Sequence, residues 1–156
     1  MNSIITNHYP IFEHYQAIRN QLMEILVDED LAYHPGGKNR PLGELCLEIG
    51  NVQHSYIQSF KTFEHDFDYR NEEPGLSHSV AKLTTWYVEL DTSLKEAVAN
   101  LSDDDLERTI NRGFTVTPFV QLEVYKEGLL IFYGKVSVYL RVMGKPLPQQ
   151  MQEWIG

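Results

Sequence analysis

The sequence predicts an all-α protein, a four-helix bundle, on three observations. Four separated stretches repeat apolar residues at three- and four-residue steps, the spacing that lays them along one face of a helix. No two stretches alternate apolar and polar residues so as to pair convincingly as strands. The connections between stretches are broken by proline and glycine and are long enough to carry the chain along a bundle. No internal repeat or linker marks a second unit, so residues 1–156 are expected to form one domain.

The first helix is expected over residues 9–28, with Ile11, Tyr15, Ile18, Leu22, Ile25 and Leu26 on its inner face and His8, Glu13, His14, Arg19 and Glu24 beside or behind it. Asp28-Glu29-Asp30 is poor chemistry for a helix C-terminus, where the dipole prefers cations, so Asp28 is expected to lie at or beyond the end. His34-Pro35-Gly36-Gly37 breaks any helix and makes residues 31–40 a loop. Pro41 suits a first turn, and the second helix runs from there to about 63, with Leu42, Leu45, Ile49, Val52, Tyr56, Phe60 and Phe63 facing the core.

Residues 64–76 are acidic and interrupted by Pro74-Gly75. A third helix over 79–100 carries Val80, Leu83, Tyr87, Leu90, Leu94, Val98 and Leu101 at near-heptad spacing. Ser102, with Asp105 three residues on, caps a short extra helix. The connection RTINRGFTVT is β-branched and reads as an extended piece. Thr117-Pro118 opens the last and longest helix as N-cap and first-turn proline, and Gly144, followed by Pro146 and Pro148, is its left-handed stop. The tail QQMQEWIG reads as too short to pack by itself, with Trp154 covering an edge of the core.

Composition bounds function by exclusion. A net charge of −9, from 22 acidic and 13 basic residues, disfavours a nucleic-acid surface and an anionic membrane. The single cysteine, Cys46, rules out an internal disulfide framework and argues against a thiolate zinc site. It also falls off the core stripe of its helix with no basic neighbour, so it is no candidate nucleophile. The N-terminus lacks a basic start followed by an apolar run, and no stretch approaches the ~20 apolar residues that span a bilayer. A soluble, cytoplasmic protein is expected.

The exit YLRVMGKPLP at 139–148, Gly134 before it, and LGELCLEIG at 42–50 together resemble the DinB/YfiT-like superfamily. The resemblance spans the whole chain, with the Arg-x-x-Gly-x-x-x-Pro exit at Arg141, Gly144 and Pro148. It implies an up-down-down-up bundle, often dimeric, with a divalent metal held by three histidines in a cleft at one end. The implied ligand positions are Glu48 on the second helix and Gly128 and Phe132 on the last. None is histidine, so the resemblance implies a degenerate metal site, and no catalytic residue is nominated.

By helical geometry Glu48 lies about 60° from Leu45, aimed towards the interior. Phe132 falls in the stripe of Leu122, Tyr125, Leu129, Val136 and Tyr139, and Gly128 at its margin. His54 lies about 180° from Leu45 and points outwards. His14 faces inwards enough that a His14–Glu48 pair across the bundle is possible, as a weak metal site or a hydrogen-bonded pair. Tyr125 is placed to line the space left by the missing side chain at Gly128. His8, His34, His65 and His78 are expected in solvent.

Two functions follow: a non-catalytic small-molecule-binding or interaction module without a cofactor, or a divalent-metal enzyme, using Zn or Ni, related to thiol-dependent S-transferases with displaced ligands. A homodimer is expected, paired through parts of the first or last helix; on the last helix Ile131, Val138 and Val142 form a second apolar face about 180° from Leu122.

Overall fold

The first helix begins one residue after a short helical turn that the periodicity does not reveal. The computed structural model describes residues 1–155 and places α1 at Ser3–Asn7, followed by α2 at Tyr9–Ile25. Asn2 makes α1: its Oδ1 accepts from the Ile5 amide, and its Nδ2 donates to the carbonyls of Val98 and Leu101. One capping residue thus starts a helix and ties it to the end of the third long helix. Residues Asp28–Ala32 form a 3-10 turn, so Asp28 does lie outside α2.

The other long helices are α3 at Leu42–Thr62, α4 at Val80–Ala99 and α6 at Pro118–Val142, with short α5 at Asp103–Leu106. Their ends follow the sequence chemistry. Ser79, Ser102 and Thr117 each accept a hydrogen bond from a backbone amide three residues on, and Gly144 has φ +69° at the exit of α6. The connection before α6 is more ordered than an extended piece. β1 (Ile110–Asn111) pairs antiparallel with β2 (Thr115–Val116), with Ile110 and Val116 turned into the core.

Contacts between side chains give the topology. Along α2 and α4, Glu13 meets Lys95 while Gln16 and Arg19 meet Asp91, so these helices are antiparallel. Along α2 and α6, His8 meets Phe119, Phe12 meets Tyr125 and Tyr15 meets Tyr133, an ascending order that makes them parallel. Ser59 bonds to Gln121 and Arg40, just before α3, to Tyr139, so α3 and α6 are antiparallel. Gly43 packs on Ser77, Gly50 on Trp86 and Gln53 on Asp91, so α3 and α4 run together. The bundle is up-down-down-up, with α2 diagonal to α3.

The parallel α3–α4 pair explains the long connection between them: residues 64–79 return to the starting end of α3, where Leu76–His78 form a 3-10 turn against Gly43. A Cβ on Gly43 would lie 1.9 Å from the Ser77 carbonyl oxygen, so close approach demands glycine here.

Three expectations about the core are corrected. Ile11 is 60% exposed, and the inner face of α2 is instead Tyr9, Phe12, Gln16, Ile18, Arg19, Leu22 and Met23. Arg19, read as lying beside or behind the stripe, is fully buried. Cys46 is buried as well, because α3 is flanked by α4 on one side and α6 on the other and has only a narrow exposed strip. The tail is a helix after all: Gly144 turns the chain back and α7 (Gln149–Ile155) packs on α2, with Gln150 bonded to Gln21 and to the His14 carbonyl. Tertiary contact stabilises a helix too short to persist alone. Met151 is the buried anchor, while Trp154 stays 47% exposed with its ring on Tyr15. No helix among the described residues is long and apolar enough to cross a membrane.

Candidate functional site

The antiparallel pair α3–α6 brings Glu48, Gly128 and Phe132 to one place. They line an inner chamber of about 150 Å³ with Leu45, Ile49, Val52, Ile131 and Lys135. Gly128 shapes it, since a Cβ there would meet nothing within 4 Å. Phe132 is buried and adds its ring to the lining. Leu45, Glu48 and Lys135 also border an outer chamber of about 540 Å³, completed by Pro35, Lys38, Asn39, Arg40, Val138 and Tyr139.

Glu48 departs from expectation. It is exposed at the junction of the two chambers, not directed into the core. The reason is the two-sided packing of α3, which centres its buried face nearer Cys46, Gly50 and Gln53 than a single stripe would. A carboxylate in this position keeps its water, and the cost of burying a charge does not arise.

The outer rim is held by the loop before α3. The Tyr139 hydroxyl donates to the Arg40 carbonyl at 2.6 Å, and the Leu42 amide donates to the Tyr33 carbonyl at 2.8 Å. Asn39 donates through its backbone and side-chain nitrogens to the Gly36 carbonyl. Lys38 and Arg40 on this loop thereby face Lys135 on α6 across the outer chamber. Among the described residues none of these three cations is in an ion pair.

His14 and Tyr125 are not part of this cleft. His14 is exposed and lies in a groove between α2 and α7 with Glu24, Glu153 and Trp154. Because α2 is diagonal to α3, a His14–Glu48 pair does not form. Tyr125 turns the other way from Gly128, its ring between Phe12 and Tyr56, and its buried hydroxyl has no hydrogen-bond partner. Burial raises the Tyr125 pKa well above the ordinary phenol value.

The residues at the positions implied by the resemblance do not fit a divalent metal. Gly128 offers no donor, Phe132 only a ring, and Glu48 a single carboxylate. Among the described residues, no three His, Cys, Asp or Glu side chains come close enough together to hold a metal ion. Cys46 offers no alternative chemistry, since burial pushes its thiol up to about 12.

Sequence reasoning missed two polar clusters. In the core, Gln16 Nε2, Arg19 Nη2 and Gln53 Nε2 all donate to Asp91 Oδ1, and Arg19 Nη1 donates to Gln53 Oε1. Arg19 also sits 3.9 Å above the Tyr87 ring centre. The signal was available: residues 19, 53 and 91 each fall three or four residues from core apolar positions. The second cluster is near the far end of α3, where Arg112 donates to the Tyr56 hydroxyl and Gln121 Oε1, while Gln121 Nε2 donates to Ser59 and contacts His65 Nδ1. His65 is thus half-buried, not solvated, and burial together with the nearby Arg112 charge lowers its pKa to about 4. His54 points away from the core, as expected, but stacks on Tyr69 at 3.6 Å.

A family model described as the DinB superfamily matches residues 12–131. The crystal structure of a DinB-like protein from Bacillus subtilis is 20% identical with a TM-score of 0.73, covering 96% of this chain and 98% of that one. A DinB-like protein from Bacillus cereus ATCC 10987 is 15% identical with a TM-score of 0.75, covering 90% and 93%. No curated protein matches the sequence.

Proposed function

The chain belongs to the DinB superfamily, and on that premise we propose that it is a non-catalytic member whose cleft between α3 and α6 binds a small molecule without a metal ion. The observation that carries this reading is the convergence of Glu48, Gly128 and Phe132 on one chamber, with a single donor side chain among them. One exposed carboxylate with water holds Zn²⁺, Ni²⁺ or Fe²⁺ weakly at neutral pH, and a zinc enzyme needs at least three protein donors around an open position. The chain acts as one cytoplasmic domain, consistent with a lone buried thiol, and has no nucleic-acid or membrane partner. It pairs as a homodimer through the first or last long helix, whose outward apolar residues clear of the cleft include Ile11 and Val142, both more than half exposed.

Metal content tests the central claim. Purified protein should carry well below one Zn, Ni or Fe per chain. Replacing Glu48→His, Gly128→His and Phe132→His together should create a site, because histidines four apart on a helix face a common point. Phe132→His costs about 3 kcal/mol of packing, a loss that metal binding would offset. The variant's melting temperature should rise on adding Zn²⁺ or Ni²⁺ while the wild type's does not. Equal responses in both proteins would refute the assignment of these positions and revive the metal-dependent alternative.

A further inference from the structure

We propose that the cleft selects an amphipathic anion, a carboxylate or phosphate carrying an unbranched apolar chain. The inference rests on reading the cleft as a ligand pocket and adds the class of ligand. In a protein of net charge −9, the outer chamber gathers Lys38, Arg40 and Lys135 against one carboxylate, Glu48. The three cations lack an ion-pair partner among the described residues, so their charge is available to a ligand. Asn39 on the same rim adds a neutral amide.

The inner chamber has the opposite character. Apart from Glu48 and Lys135 at its mouth, its walls are hydrocarbon and the Phe132 ring, and the opening beside Gly128 lets a narrow chain reach them. At about 150 Å³ it is smaller than the ~300 Å³ lower bound of ordinary drug-sized pockets, so it suits an alkyl chain better than a ring system. The two chambers share Leu45, Glu48 and Lys135, so one molecule can place its head among the cations and its tail against Phe132.

Calorimetric titration of the full chain at low salt tests this with octanoate, octyl phosphate, octanol and octylamine. Octanoate or octyl phosphate should bind at least about ten-fold more tightly than octylamine, as expected for several exposed charge contacts acting together. Whichever anion binds better identifies the head group. Affinity should rise from butanoate to octanoate, by up to about four-fold per methylene, and fall with added salt.

Arg40→Gln with Lys135→Gln should weaken octanoate by about ten-fold without changing octanol, whereas Glu48→Gln should tighten it. Gly128→Leu should fill the inner chamber and abolish the chain-length dependence. The butanoate-to-octanoate series gives the same information in the wild type should that variant not fold. Octanol or octylamine binding as tightly as octanoate would overturn the anion assignment and leave the small-molecule cleft standing. No binding by any of the four would overturn both, and octanoate binding indifferent to the Arg40, Lys135 and Gly128 changes would place it elsewhere and overturn the inference.

Discussion

Among the described residues, Asp91 holds the only counter-charge of an arginine that has no access to water. Three donors from two other helices converge on its Oδ1, and the Arg19 side chain is 0% exposed against 23% for Asp91. Asp91→Ala would leave a guanidinium and two amides in the core without their acceptor. Breaking a buried pair by removing one partner costs about 3–5 kcal/mol. The partial exposure of Asp91 lets water replace some of the loss, which places the expectation near the lower end, at about 3 kcal/mol. With a urea m-value on the order of 2 kcal/mol/M, the unfolding midpoint should fall by about 1.5 M. Asp91→Asn keeps an acceptor but loses the charge and should cost about half as much. Replacing both partners, Arg19→Met with Asp91→Leu, should return the midpoint towards the wild type, because apolar packing removes the need for a counter-charge. An Asp91→Ala midpoint within 0.5 M of wild type, roughly 1 kcal/mol, would refute this account of the core.

The glycines give a test with opposite signs. Gly43→Ala drives a Cβ against the Ser77 carbonyl oxygen and should cost about 2 kcal/mol or more, whereas Gly134→Ala, whose Cβ meets nothing within 4 Å, should stabilise by about 0.5–1 kcal/mol through helix propensity, both read by thermal melts. His65, with its pKa lowered from 6.5 to about 4, binds fewer protons folded than unfolded between those values. Stability should therefore rise with pH from 4 to 6.5 and level off above, by about 1 kcal/mol once its partial exposure is allowed for, and His65→Gln should flatten that slope. Ile11→Asp with Val142→Asp, both clear of the cleft, should convert a dimer to monomer in sedimentation at tens of micromolar, and a wild type that is already monomeric there would remove the dimer proposal.

Helix starts and stops were legible because they depend on nearest neighbours: Thr117-Pro118, Ser102 with Asp105, and Gly144 act within one turn. Angular placement was less legible because it depends on how many neighbours a helix has. A single-stripe reading put Glu48 inside and Cys46 at the edge, and both reversed once α3 was flanked by α4 and α6. Arg19 shows the same limit for polar residues. Its spacing from Phe12 and Leu22 is a core spacing, but its chemistry argued for solvent until Asp91 and Gln53, from two other helices, supplied partners. The cleft was half legible. Glu48, Gly128 and Phe132 do meet at one chamber, while Lys135 is far in sequence from Lys38 and Arg40 and joins them only through the antiparallel pairing of α3 and α6.

On the proposed metal-free reading, no ion at the positions of Glu48, Gly128 and Phe132 cross-links α3 to α6, so other contacts must join them. At one end the Tyr139 hydroxyl bonds to the Arg40 carbonyl, near the other Ser59 bonds to Gln121, and between them Phe132 fills the space as a buried ring. Burying a phenylalanine side chain is worth about 1.5–3 kcal/mol, and each of the two hydrogen bonds adds about 1 kcal/mol. These terms act whether or not an ion is present. The fold's stability should therefore be independent of metal, in contrast to small domains whose folding free energy is metal binding. Prolonged treatment with a strong chelator should leave the melting temperature within about 1 °C of the untreated protein, since 1 kcal/mol shifts a domain of this size by about 2–4 °C. A larger drop, reversed by adding back Zn²⁺ or Ni²⁺, would mean that an ion contributes to the cross-link and that the cleft has been assigned to the wrong class of ligand.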